Sequence, residues 1–148
     1  MAIRPIFEAV EAAKQQIENL SVEQFRKEVE RNPELLLLDI RELQERVDLG
    51  TIPGSKHVPR GMLEFWADPT SPYARDYFQE DRRTILFCAA GGRSALAALA
   101  LEEMGFSDVA HLETGFAGWK NSGAPLQDVS GTSRWVRRSQ PDGRGAAG

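Results

Sequence analysis

Two short, unbroken apolar runs constrain this chain more than anything else in it: LLLLDI at residues 35–40 and TILFC at residues 84–88. Each is too short for a surface helix, and neither alternates as a half-exposed strand would. Such runs suit strands buried on both faces, as in a parallel sheet covered by helices on either side. SDVAHL reads as a further strand. TIPGSKHVP holds a Pro-Gly turn and a short strand at residues 56–58.

Helical patterns lie between these strands. Ile6, Val10, Ala13, Ile17 and Leu20, at alternating spacings of four and three, predict an amphipathic helix over residues 6–20 that Asn19-Leu20-Ser21 interrupts. Ser21 with Gln24 forms a capping-box pattern for a second helix bearing Val22, Phe25 and Val29, which stops before Pro33. MLEFWAD reads as a short helix, and Pro69 and Pro72 impose a loop after it. Residues 94–104 predict an Ala- and Leu-rich helix stopped by Gly105, and TGFAGWKNSG a last helix closed by Gly123. Strands alternating with helices predict an α/β fold with a small parallel sheet, helices on both faces and right-handed crossovers. The expected organisation is an N-terminal amphipathic helix (1–20), one domain (21–127) and a flexible C-terminal tail (128–148), rich in Gly, Ser and Arg. The 6–20 stripe needs cover. Docking on its own domain is the favoured cover and a homodimer the lesser one, so the expected state is monomer or homodimer.

Composition removes several function classes. A net charge of −4 favours neither nucleic acid nor an anionic membrane as partner. No run approaches the ~18 apolar residues of a membrane span, and the start, with Glu8 and Glu11, is unlike a secretory signal. One cysteine and two histidines supply neither an intramolecular disulfide nor a zinc-site spacing. A reducing cytoplasm is the expected location.

The lone cysteine, Cys88, stands at the carboxyl end of a predicted strand, where open α/β sheets hold their ligands. The segment CAAGGRS then turns into a helix. Gly91 and Gly92 permit backbone angles that other residues resist, and Ala89 and Ala90 keep side chains out of the way. Such a loop can aim successive N–H groups at the sulfur, and the helix adds its positive end. Both effects favour thiolate, the attacking species, over a thiol whose ordinary pKa is about 8.5. A cysteine ending an apolar strand is more often a packed hydrophobe. The glycine pair, the arginine and the helix start together favour a nucleophile.

On these residues the chain resembles the rhodanese family of sulfurtransferases. CAAGGRS resembles the family's active-site loop, LLLLDIRE the strand with its Asp-x-Arg signature, GTIPGSKHVPRG its Gly-His-Ile-Pro-Gly-Ala stretch, and LETGFAGWK its Leu-x-Gly-Gly segment. The resemblance runs from about Ser21 to Leu126. Thr51 and Thr114 depart from the pattern, standing where the family often has histidine and the first of two glycines. The resemblance implies that Cys88 takes a sulfur from thiosulfate or another donor as a persulfide and passes it to cyanide or a thiol, with no metal or organic cofactor and with another protein's persulfide as an alternative partner. It implies Ala89, Ala90, Gly91, Gly92 and Arg93 as the cradle, Arg93 also bracing the loop, and Arg60 as a candidate for the anionic donor. Asp39 and Arg41 are expected as mainly structural, supporting residues, with Asp39 near the pocket, and Phe65 and Trp66 are candidate pocket walls. His57 and His111 receive no catalytic role. Two rival readings remain. A cysteine phosphatase or arsenate reductase would place five residues between cysteine and arginine, where this chain has four, residues 89–92. A non-catalytic binding module on the same fold is disfavoured by the presence of Cys88.

Overall fold

The computed structural model describes residues 2–132; the predicted tail beyond Thr132 lies outside them. The chain runs α1 (Ile6–Lys14), β1 (Glu18–Leu20), α2 (Val22–Arg31), β2 (Leu36–Asp39), α3 (Leu43–Leu49), β3 (Lys56–His57), α4 (Leu63–Ala67), β4 (Thr84–Phe87), α5 (Gly92–Met104), β5 (Val109–Leu112) and α6 (Gly115–Asn121). Short 3₁₀ turns occupy Arg60–Met62 and Ser130–Thr132. The five strands form one sheet, ordered β1-β5-β4-β2-β3, and every pair is parallel.

The two unbroken apolar runs are β2 and β4, which with β5 form the centre of the sheet, and every residue of these three strands is buried. Period-two alternation sends Leu36, Leu38, Leu86 and Cys88 to one face, against α1, α4 and α5. Leu37, Ile85 and Phe87 go to the other, against Phe25 of α2 and Phe116 and Trp119 of α6. This is the expected α/β domain with helices on both faces.

The N-terminus departs from expectation. α1 ends at Lys14, and residues 18–20, read as the end of the helix, form the edge strand β1. The Asn19 side chain is part of the reason: its Nδ2 donates to the carbonyls of Lys14 (2.9 Å) and Ile17 (3.1 Å), taking up acceptors that a longer helix would use itself. The other part is the open edge of β5, which pairs with Glu18–Leu20 along its length. The stripe still finds its cover within the chain. Val10, Ala13, Ile17 and Leu20 are buried, whereas Ile6 stays 57% exposed. The capping box of α2 forms as read, Ser21 Oγ accepting from the Gln24 N–H and Gln24 Oε1 from the Ser21 N–H.

Two further corrections concern the segments flanking the sheet. The sequence LQERVDL, left unassigned by periodicity, is helix α3, opened by a reciprocal capping box between Glu42 and Glu45. Val129, in the stretch read as the start of the tail, is buried, and just before that stretch Gln127 exchanges backbone hydrogen bonds of 2.9 Å with Thr51.

Candidate active site

Cys88 follows β4 directly and is 1% exposed. Gly91, with φ +101°, turns the chain so that α5 starts at Gly92. The Gly91 N–H then donates to Cys88 Sγ at 3.2 Å and the Ser94 N–H at 3.3 Å, with Ser94 Oγ 3.5 Å from the sulfur. Burial pushes the Cys88 thiol up. The N–H groups of Ser94, Ala90 and Gly91 aimed at the sulfur oppose it and hold the thiol below its ordinary value, while the thiol itself donates to Ser94 Oγ.

The loop is held from behind by α6. Phe116 N–H donates to the Cys88 carbonyl (2.8 Å) and Ala117 N–H to that of Ala89 (3.0 Å), so the first turn of one helix fixes the loop that opens another. The buried Asp39–Arg41 pair lies just behind this contact. Arg41 reaches both Asp39 oxygens (3.0 and 2.9 Å) and the Gly50 carbonyl (2.7 Å), and its guanidinium lies 4.2 Å from the Phe116 ring centre. Asp39 sits opposite Phe87 in the sheet register, one residue before the cysteine. Asp39 and Arg41 are both fully buried. Thr51, one departure from the resemblance, donates its buried hydroxyl to Asp39 Oδ2 at 2.8 Å. Thr114, the other, lies beside Gly118, where an added Cβ would collide with its side chain.

The arginines are employed differently from the expectation. Arg93 gives its fork to both oxygens of Glu45 (2.7 and 3.0 Å), tying α5 to α3 rather than bracing loop carbonyls. A carboxylate matches a guanidinium fork in two bonds, which single carbonyls do not. Arg60 pairs with Glu64 at 2.6 Å and does not line the cleft over Cys88. Nor do Phe65 and Trp66; the Trp66 ring carries the Arg75 guanidinium instead.

That cleft, about 290 Å³, has Cys88, Ala89, Ala90, Gly92 and Arg93 on its floor and side. Its apolar wall is Ile6, Phe7 and Val10 from α1 and Leu96 from α5. A larger cleft of about 500 Å³, between Ala67, Phe78, Met104 and Phe106, has no cysteine among its described lining residues. Sequence reasoning missed the α1 wall because the stripe was read as buried throughout. It also missed a chain of buried groups behind the sulfur: Ser94 Oγ lies 2.8 Å from His111 Nδ1, whose Nε2 lies 2.6 Å from Asn19 Oδ1. Those partners are up to 92 residues apart, so no local pattern announces them.

Known proteins agree with this frame. A structure from Rhodopseudomonas palustris, described as a protein of unknown function and possible tyrosine phosphatase, is 41% identical with a TM-score of 0.81, covering 86% of this chain and 97% of that one. The homodimeric polysulfide-sulfur transferase of Wolinella succinogenes is 30% identical with a TM-score of 0.67, covering 83% and 87%. A Bacillus subtilis protein named as a candidate sulfur carrier is 30% identical over 103 residues, 70% of this chain; the match spans only 51% of that relative, about half its length. Among the described residues no helix is long and apolar enough to cross a membrane. The Rhodanese-like domain profile matches residues 21–122, from the capping serine of α2 to the end of α6, and the chain belongs to that family.

Proposed function

We propose that the protein is a sulfurtransferase working through a persulfide on Cys88. The observation that carries this reading is the pair of backbone N–H groups, Gly91 and Ser94, aimed at the sulfur of a cysteine that lines a cleft. In the loading step the Cys88 thiolate attacks the outer sulfur of a donor. With thiosulfate the S–S bond breaks, sulfite leaves with the bonding pair, and the enzyme keeps one sulfur as Cys88–S–S⁻. In the unloading step cyanide or a thiolate attacks that outer sulfur, thiocyanate or a new persulfide departs, and the Cys88 thiolate returns. Charge balances in both halves and no external oxidant is needed. The N–H groups favour the anion in each resting state, and losing one such donor typically costs about 3 kcal/mol in a transition state.

A second reading, a cysteine phosphatase, is raised by the description of the R. palustris structure. Two features disfavour it. The loop is one residue short of the phosphatase spacing, and the arginine that would clamp a phosphate is held by Glu45.

Intact-protein mass separates the readings. Brief exposure to thiosulfate or a low-molecular-weight persulfide should add one sulfur, and cyanide or a thiol should remove it. Cys88→Ser should add none while keeping its fold. No gain from any donor would leave the binding-module reading standing, and efficient hydrolysis of aryl phosphates would favour the phosphatase.

A further inference from the structure

We infer that α1 is the specificity wall of this site and that the sulfur compound handled here carries an apolar body, as an organic persulfide does. The inference rests on the sulfur-transfer reading above. α1 lies wholly before residue 21, where the family profile begins, yet Ile6, Phe7 and Val10 stand over Cys88. Val10 and Ala13 bury the inner face of the helix, while Ile6 and Phe7 stay 57% and 75% exposed beside the reactive sulfur. A surface helix presenting phenylalanine to water beside a nucleophile has an apolar surface for a ligand to cover. Charge points the same way. Among the described residues the one cation lining the cleft, Arg93, is already paired with Glu45, so within them a small dianion finds no free positive side chain there. For a donor R–S–SH, Cys88 thiolate attacks the outer sulfur, the S–S bond breaks, and RS⁻ leaves with the bonding pair. The proton stays on the transferred sulfur, and R rests against α1.

The test compares loading rates of the full chain with benzyl persulfide and with thiosulfate. The ratio of kcat/KM should favour benzyl persulfide by at least about tenfold in the parent. In the Ile6→Ser, Phe7→Ser double variant, which changes only exposed side chains, that ratio should fall about tenfold, carried by KM. Equal losses on both donors, or no loss, overturns the inference while leaving sulfur transfer intact. If neither donor loads the parent, the underlying reading fails as well.

A different observation carries a second proposal: we propose that Asn19 and His111 are positioning residues that turn the Ser94 hydroxyl proton away from Cys88. Asn19 Nδ2 lies within hydrogen-bond distance of two carbonyls, which only a donor can serve, so Oδ1 is the atom facing His111. His111 Nε2 must therefore carry its proton, and Nδ1 of the neutral ring accepts from Ser94. Burial and the nearby Lys14 push the His111 pKa down to about 4, consistent with a neutral ring at pH 7. Ser94 Oγ then shows lone pairs to Cys88 Sγ. That arrangement accepts a thiol proton but helps a thiolate less than a hydroxyl turned toward it. Thiolate is thereby disfavoured relative to persulfide, in which the charge moves out to the transferred sulfur, so the relay biases Cys88 toward its loaded state.

Imidazole nitrogen shifts of the parent protein should identify the Nε2–H tautomer at His111; an Nδ1–H ring overturns the proposal and needs no variant. His111→Leu frees the hydroxyl, so the Cys88 thiol pKa, read from alkylation rate against pH, should fall by about one unit. The same substitution in a Ser94→Ala background should leave it unmoved. An equal shift in both backgrounds means His111 acts by packing, which also overturns the proposal.

Discussion

At Gly115, backbone conformation and close packing coincide. Its φ of +65° is a left-handed angle, and an added Cβ would come within 2.6 Å of the Ala89 carbonyl group and 2.7 Å of the Ala90 nitrogen. Those are backbone atoms of the cysteine loop, which cannot swing aside as a flexible side chain could. Gly115→Ala should therefore strain the left-handed residue, costing about 1–3 kcal/mol, and displace the loop from the N–H donors of α6. Urea unfolding should show the loss of stability, and sulfur loading of Cys88 should fall with it. Gly61→Ala, where no atom lies within 4 Å of the new Cβ, should stay within about 0.5 kcal/mol of the parent.

At the scale of elements, the site is a meeting of helix ends. β4 delivers Cys88, the first turn of α5 supplies the donors to its sulfur, and the first turn of α6 holds the loop carbonyls. α3 takes the loop's arginine. Only the first two are adjacent in sequence. Strands β2, β4 and β5 and helix α5 were legible because local composition decides them: apolar runs bounded by turn residues, and an alanine-rich segment closed by Gly105. β1 was not legible. Three residues, ENL, have no strand signature of their own and become a strand because β5 offers an unpaired edge beside them. α3 was missed for the converse reason, since its seven residues are too few to display a helical period.

Across the whole molecule, buried and paired titratable groups link acid stability to the same architecture. His111 has a folded pKa of about 4, below its ordinary 6.5. The unfolded chain therefore binds the extra proton first, and stability present above pH 6.5 drains as the pH falls toward 4, by about 3 kcal/mol in all. At lower pH Glu18 continues the trend. Arg83 holds its carboxyl below the usual 4.5 against a smaller opposing effect of burial, so its contribution persists above that value and is lost as the pH drops through the folded pKa. Glu18 is half-exposed, which limits that share to about 1 kcal/mol. Arg83 also bonds Glu28 and Asp108, joining α2 and the segment before β5 to the sheet. Unfolding free energies measured from pH 7 to pH 4 should decline, and His111→Leu should flatten that decline; an unchanged slope would contradict a buried neutral histidine.

By itself the sequence determined strands β2, β4 and β5, the capping of α2 and the turn that makes Cys88 special, since each follows from neighbouring residues: apolar runs bounded by turns, a serine three before a glutamine, glycines after a cysteine. Tertiary structure alone decided who else attends the sulfur. Ile6 and Phe7 line its cleft because α1 packs on α5, and His111 reaches Ser94 beside it because β5 lies between β1 and β4. Arg93 faces Glu45 because α3 comes to rest beside the loop. Side-chain partners separated by tens of residues leave no mark on local periodicity; they meet only when the sheet order is set, and that order is fixed by pairing the whole chain at once.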